Sequence, residues 1–158
     1  MASGKTSKGK KLARKLEVDF IDLDEEIERK EGQSITTIFE VKGEAYFRQL
    51  EADVLRRIPE TTKAVIALGG GTPCFHENMK YVNEHGTSIY VKRAATTILG
   101  RLRQNKAKRP LVANLTDEEL KVFISENLKK REAFYTKAKL IFDADARKWT
   151  DLLEELAL

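Results

Sequence analysis

The sequence is poor in the residues that build disulfide frameworks and zinc centres. Its 158 residues include one cysteine, Cys74, and two histidines, His76 and His85, which are not at metal-ligand spacing. An internal disulfide and a cysteine-rich zinc site are therefore excluded, nothing calls for an oxidising compartment, and a reducing cytosol is the default location. Long apolar runs are also missing. The longest, Ala64 to Leu68, is strand-sized, far below the roughly 18 to 20 residues of a membrane span, so no membrane role is expected. There is no internal repeat and no long disordered linker. A composition 41% hydrophobic and 34% charged fits one domain over residues 1–158 with a sizeable core.

Charge of one sign is only slightly in excess: 29 Lys+Arg against 25 Asp+Glu give a formal net charge of +4. Anionic small molecules satisfy that excess as well as a nucleic acid would. Lys92 to Arg109 holds seven basic residues and no acidic one, yet no aromatic residue interleaves it to stack on bases. That argues against nucleic acid as a partner. The N-terminus is basic and free of acids until Glu17, superficially like a transit peptide. The Gly-Lys-Thr inside it points elsewhere.

Strand-like and helical patterns alternate, which predicts an α/β fold with a largely parallel sheet. The strands are predicted at Val18–Asp22, Lys63–Leu68, Thr87–Val91 and Leu140–Phe142. Helices are predicted at Lys8–Leu16, Glu25–Glu31, Ser34–Arg57, Glu77–Glu84 and Ala94–Arg103, then from Thr116 to about Phe134, and at Asp151–Leu158. Thr116 opens a Thr-Asp-Glu-Glu capping pattern. The polar, basic segment Gln104 to Leu115 around Arg109-Pro110 reads either as a loop over a site or as an ordinary solvated connection.

Four features carry chemistry. Ser3-Gly4-Lys5-Thr6 opens a helix and matches the second half of a phosphate-binding loop: glycine lets backbone N–H groups approach phosphate, lysine reaches the β/γ-phosphates, and a hydroxyl ligates Mg²⁺. Phe20-Ile21-Asp22-Leu23-Asp24 places two carboxylates on one side of a strand end, where they suit a metal-bound water and a substrate hydroxyl. The bland alternative, a strand-terminal Asp capping the next helix, accounts for one of them. Gly69-Gly70-Gly71 follows the apolar strand and lets a ligand lie against backbone. Arg48, with Glu51 one helical turn on, and Arg131 are separated cations that could grip an anion. Cys74 is assigned no catalytic role.

In order along the chain, SGKT, FIDLD, the G-E-A-Y-F-R-x-L-E stretch from Gly43 to Glu51, GGG, Arg109-Pro110-Leu111, and K-R-E-A-F-Y from Lys130 to Tyr135 resemble shikimate kinase. More distantly they resemble other small P-loop kinases such as gluconate kinase. The resemblance implies a three-layer P-loop kinase fold with a parallel sheet ordered 2-3-1-4-5, and transfer of the ATP γ-phosphoryl group to the 3-hydroxyl of shikimate in aromatic amino-acid biosynthesis. It implies nucleotide binding by Ser3, Gly4, Lys5 and Thr6, Mg²⁺ binding by Thr6 and Asp22, and substrate alignment by Asp24. Arg48 and Arg131 would hold the shikimate carboxylate, with Glu51 orienting Arg48 and Gly69, Gly70 and Gly71 contributing backbone. Phe39 and Phe47 would line the pocket, ordinary helix core being the other reading. Arg109 would close on the phosphates from a lid at about 104–115, and Arg103 would flank adenine. The substrate region would be about 24–57. A monomer is expected, with ATP and shikimate as its partners.

Three departures qualify the resemblance. The first glycine of the P-loop and the first, central strand of the family sheet have no counterpart in this sequence, which implies a gap in the sheet and weakened activity. Ala2 replaces a usual glycine. Lys8 occupies a position where an apolar residue normally packs, on one face with Leu12 and Leu16, and fits there only if its ammonium snorkels. A remnant that keeps only a ligand- or protein-binding role is the alternative to an active kinase.

Overall fold

The computed structural model describes residues 3–104 and 112–156. Helix α1 (Lys5–Leu16) begins at Lys5 rather than Lys8. Gly4 takes the left-handed conformation at φ 86°, a geometry glycine alone adopts freely, and its carbonyl accepts the Lys8 N–H at 3.0 Å. Strand β1 (Asp19–Asp22) follows and ends at Asp22, as the sequence predicts, and helix α2 (Leu23–Glu31) starts immediately after it. Asp22 is the N-cap of that helix and its carboxylate accepts the Asp24 N–H at 3.1 Å. Asp24 thus sits in the first turn of α2 and not on the strand, a correction to the alternation argument.

Helix α3 (Ile35–Arg57) is capped by Ser34 and kinked at Gly43, φ 81°. Strand β2 (Ala64–Ala67) leads through the glycines to a short 3₁₀ turn (Thr72–Cys74) and helix α4 (Asn78–His85). Strand β3 (Ile89–Lys92), helix α5 (Ala95–Gln104), helix α6 (Asp117–Tyr135), strand β4 (Leu140–Asp143) and helix α7 (Trp149–Glu155) complete the order. The Thr116–Glu119 capping box forms in full at the start of α6.

The strands pair in parallel as two ladders, β1 with β2 and β3 with β4. Among the described residues β2 and β3 do not pair with each other. A cavity of about 1580 Å³ runs between them, lined by Ala64 to Ala67 on one side and Ile89 to Val91 on the other. The gap lies where the resemblance places the sheet's central strand. The described residues hold two clusters of buried apolar side chains. Leu23, Ile27, Ile38, Phe47, Leu50, Val54 and Leu55 fill the α2–α3 side, and Ile98, Leu102, Val112, Leu120 and Ile124 fill the α5–α6 side. Each fully buried aliphatic chain contributes about 1.5–3 kcal/mol.

Lys8 does snorkel. Its ammonium lies 4.7 Å from the centroid of the Trp149 ring and 5.5 Å from that of Phe142, so aromatic faces replace the aliphatic partners of an apolar residue. Partial burial, and secondarily Arg93 and Arg101, holds its pKa below the ordinary lysine value.

Candidate active site

One end of the cavity is assembled by α1 and β1. Thr6 Oγ1 donates to Asp22 Oδ2 at 3.2 Å, and Lys5 Nζ lies 3.7 Å from the same oxygen. A helix N-terminus, a lysine and a hydroxyl–carboxylate pair therefore meet in one place, which suits a polyanion and a hard cation together. The loop is braced from the other ladder: Arg93 Nε donates to the Ser3 carbonyl at 3.1 Å, while its Nη1 pairs with Asp145 at 2.6 Å. Gly4 also faces Arg101, whose Nη1 would stand 3.0 Å from a Cβ at that position.

Asp24 stands between this end and the glycine loop. Burial is the main reason its carboxyl pKa is raised above 3.8; the carboxylates of Asp22, Glu51 and Glu28 add to the rise and Lys5 opposes it. Its Oδ1 is 3.1 Å from the point where a Cβ on Gly69 would lie.

The second end is built by α3, the glycine loop and α6. Arg48 is buried, and its Nη1 donates to Glu51 Oε2 at 3.0 Å, as their helical spacing predicts. Nε and Nη2 both reach Glu44 Oε1 at 3.3 Å. Gly71 packs directly on the guanidinium: a Cβ there would come within 2.5 Å of both terminal nitrogens, so any larger residue would have to displace Arg48 from this position. The Phe75 ring lies 4.4 Å from the Arg48 guanidinium carbon, with Phe47 and Phe39 at 5.2 and 5.9 Å. Phe39 and Phe47 contact each other with centroids 4.6 Å apart. On the α6 side Tyr135 donates to the Gly70 carbonyl at 2.5 Å. Burial raises the Tyr135 pKa, and Arg131 beside it works against that rise. Cys74 lies close enough to feel both Arg48 and Arg131, although burial dominates and raises its thiol pKa.

Ser3, Gly4, Lys5, Thr6, Asp22, Asp24, Phe39, Phe47, Arg48, Gly69, Gly70, Gly71 and Arg131 thus line a single cavity. Arg103 is turned away from it, paired with Asp117 at 2.7 Å, while Arg101 lines the cavity instead. Arg109, and most of the lid expected at 104–115, lie outside the described residues. Thr72, Phe75, Arg93 and Arg101 were not singled out from sequence. Their parts arise from tertiary contacts that no local pattern announces.

Residues 1–157 match the family model described as Shikimate kinase. The chain belongs to the shikimate kinase family. Among curated relatives, the shikimate kinase of Phocaeicola vulgatus is 44% identical over 145 residues, covering 92% of this chain and 83% of that protein. Among solved structures, shikimate kinase from Bacteroides thetaiotaomicron superposes with a TM-score of 0.94 at 40% identity, covering 100% of this chain and 94% of that one. Shikimate kinase from Acinetobacter baumannii, solved in complex with shikimate, gives a TM-score of 0.83 at 33% identity over 99% of this chain and 86% of its own. The P-loop kinase fold expected from the motifs is therefore the fold of these shikimate kinases. Among the described residues no helix is long and apolar enough to cross a membrane.

Proposed function

We propose that the chain transfers the γ-phosphoryl group of ATP to the 3-hydroxyl of shikimate, with the roles of its site residues as follows. The observation that carries the reading is the position of Asp24, between the Lys5–Thr6 helix start and the Arg48–Gly71 clamp. A nucleotide phosphate at the first and a carboxylate at the second would present an acceptor hydroxyl to this side chain.

Phosphoryl transfer needs alignment and charge placed against the phosphate oxygens more than covalent chemistry. Backbone N–H groups at Ser3 to Thr6 cradle the phosphates, and Lys5 neutralises charge on them. Thr6 and Asp22 supply two hard oxygen donors in contact with each other, which fits Mg²⁺ held by few protein ligands and by the nucleotide. When bound, Mg²⁺ would offset charge on the phosphate oxygens. Asp24 hydrogen-bonds the acceptor hydroxyl and takes its proton; a carboxylate raised toward neutrality is a better base than an ordinary one. Arg48 and Arg131 bind the carboxylate of shikimate, a planar anion that matches the guanidinium fork. Gly69, Gly70 and Gly71 offer backbone to it, and Phe39 and Phe47 wall the ring. Arg109 would complete the charge on the phosphates, and Arg103 would flank adenine once released from Asp117. The chain acts as one cytoplasmic, monomeric domain, with 24–57 as its substrate region.

The test is coupled ADP release with Mg²⁺ATP, with and without shikimate. Shikimate-dependent release supports the reading; none, from protein shown to be folded, contradicts it. The cavity between β2 and β3 favours one second reading, in which ligands bind without turnover. It is distinguished by a melting temperature that rises with shikimate or ADP while no ADP is released.

A further inference from the structure

Behind Arg48 stands a connected set of hydrogen bonds, buried from Glu51 to Asn78 and reaching the surface at Arg56. Glu51 is 1% exposed, and its two carboxylate oxygens have different partners: Oε2 receives Arg48 Nη1 at 3.0 Å and Oε1 receives the Thr72 hydroxyl at 2.5 Å. Thr72 and Asn78 are both fully buried. Asn78 Nδ2 donates to the Thr72 carbonyl at 2.9 Å, and Arg56 Nη1 donates to Asn78 Oδ1 at 2.6 Å.

We propose that Thr72 is a positioning residue for substrate: its hydroxyl locks the Glu51 carboxylate in the rotamer that presents Arg48 to the shikimate carboxylate. A buried carboxylate must have its oxygens paired. Three oxygens converge on the open face of Gly69, where a Cβ would lie 3.1 Å from both Thr72 Oγ1 and Asp24 Oδ1 and 3.2 Å from Glu51 Oε1. The hydroxyl is thus the donor that pairs Glu51 Oε1 at a point where a second carboxylate stands close by and offers it no hydrogen bond. Without it, Glu51 has one unpaired oxygen and Arg48 loses its fixed partner. Asn78 and Arg56 hold the backbone of the 3₁₀ turn, so the hydroxyl arrives at a set point. The inference rests on the shikimate reading of the Arg48 site.

The test compares wild type, Thr72→Val, which removes the donor at nearly constant shape, and Thr72→Ser, which restores it. Shikimate and ADP binding to the whole chain are measured by calorimetry. Thr72→Val is expected to raise the shikimate Kd about tenfold or more, as for loss of a hydrogen bond to a charged group, with ADP affinity unchanged and Thr72→Ser close to wild type. If Thr72→Val fails to fold, Thr72→Ala carries the same comparison. Wild-type binding of shikimate with an unchanged Kd in the folded variant overturns the proposal. So does equal weakening of both ligands, the mark of a merely structural role. Absence of shikimate binding by wild type overturns the underlying reading as well, which separates the two failures.

Discussion

The Thr6 hydroxyl donates to Asp22 Oδ2 across 3.2 Å, joining the first turn of α1 to the last residue of β1. A hydroxyl and a carboxylate already in contact need little rearrangement to share a divalent cation. Asp22→Asn should therefore raise the Mg²⁺ concentration needed for half-maximal activity, and Thr6→Val should do the same while Thr6→Ser should not. Lys5→Met should lower kcat by roughly a hundredfold or more, the scale of losing one charge-stabilising group in a transition state. A Mg²⁺ titration of initial rates checks all four variants.

Asp24 links function to stability in opposite directions. Its pKa is raised in the folded state, chiefly by burial and then by neighbouring carboxylates. The folded chain therefore holds this proton more tightly than the unfolded chain, and the contribution to stability falls as pH rises from 3.8 through the raised value. Asp24→Asn should melt at a higher temperature than wild type at neutral pH, with the advantage vanishing in acid, and should lose most of its turnover. The acid limb of the wild-type rate profile should lie above the ordinary aspartate value. Melting curves and initial rates across pH test both halves.

Removal of Arg48, proposed above to hold the shikimate carboxylate, also leaves Glu51 buried with only the Thr72 hydroxyl among the described contacts. Breaking a buried ion pair by removing one partner costs about 3 kcal/mol or more. Arg48→Ala should therefore lose shikimate binding and also unfold at lower denaturant, whereas Arg131→Ala should lose shikimate binding alone, since no buried carboxylate depends on it in the contacts described. Urea melts combined with shikimate calorimetry distinguish the two arginines.

Much of this site is legible in the sequence because it is local. Gly4-Lys5-Thr6 before an amphipathic helix, Arg48 three residues before Glu51, and three glycines after an apolar strand each state their geometry through backbone rules and helical spacing. Asp22 and Asp24 lie where two local signals meet: alternation predicts them on one side of a strand, and the capping alternative is the arrangement found, Asp22 closing β1 and accepting the Asp24 N–H as the N-cap of α2. What stays illegible is non-local. Thr72 reaches Glu51 across 21 positions, Arg93 reaches Ser3 across 90, and the choice of Arg101 over Arg103 to line the cavity depends on which face of α5 turns inward. Lys8 looked like a misfit, and only the fold supplies the Trp149 and Phe142 rings that accept it.

The gap between the ladders makes a separate prediction. β2 and β3 each offer an edge to the cavity between them, and the indole N–H of Trp149, which also lines it, is buried with no hydrogen-bond partner among the described residues. Joining an apolar strand of about five residues and a glycine to the N-terminus should seat a strand there. The melting temperature should rise by roughly 5 °C or more, with a gain in shikimate-dependent turnover. An extension with alternate residues replaced by Asp should give neither.

Phosphorus NMR of the protein incubated with Mg²⁺ATP and shikimate follows the transferred phosphoryl group itself. A new phosphomonoester resonance should grow as the ATP γ-signal declines, should require shikimate, and should grow far more slowly with Asp24→Asn. ATP loss that yields only inorganic phosphate, or a phosphomonoester that forms equally well with Asp24→Asn, would contradict the account.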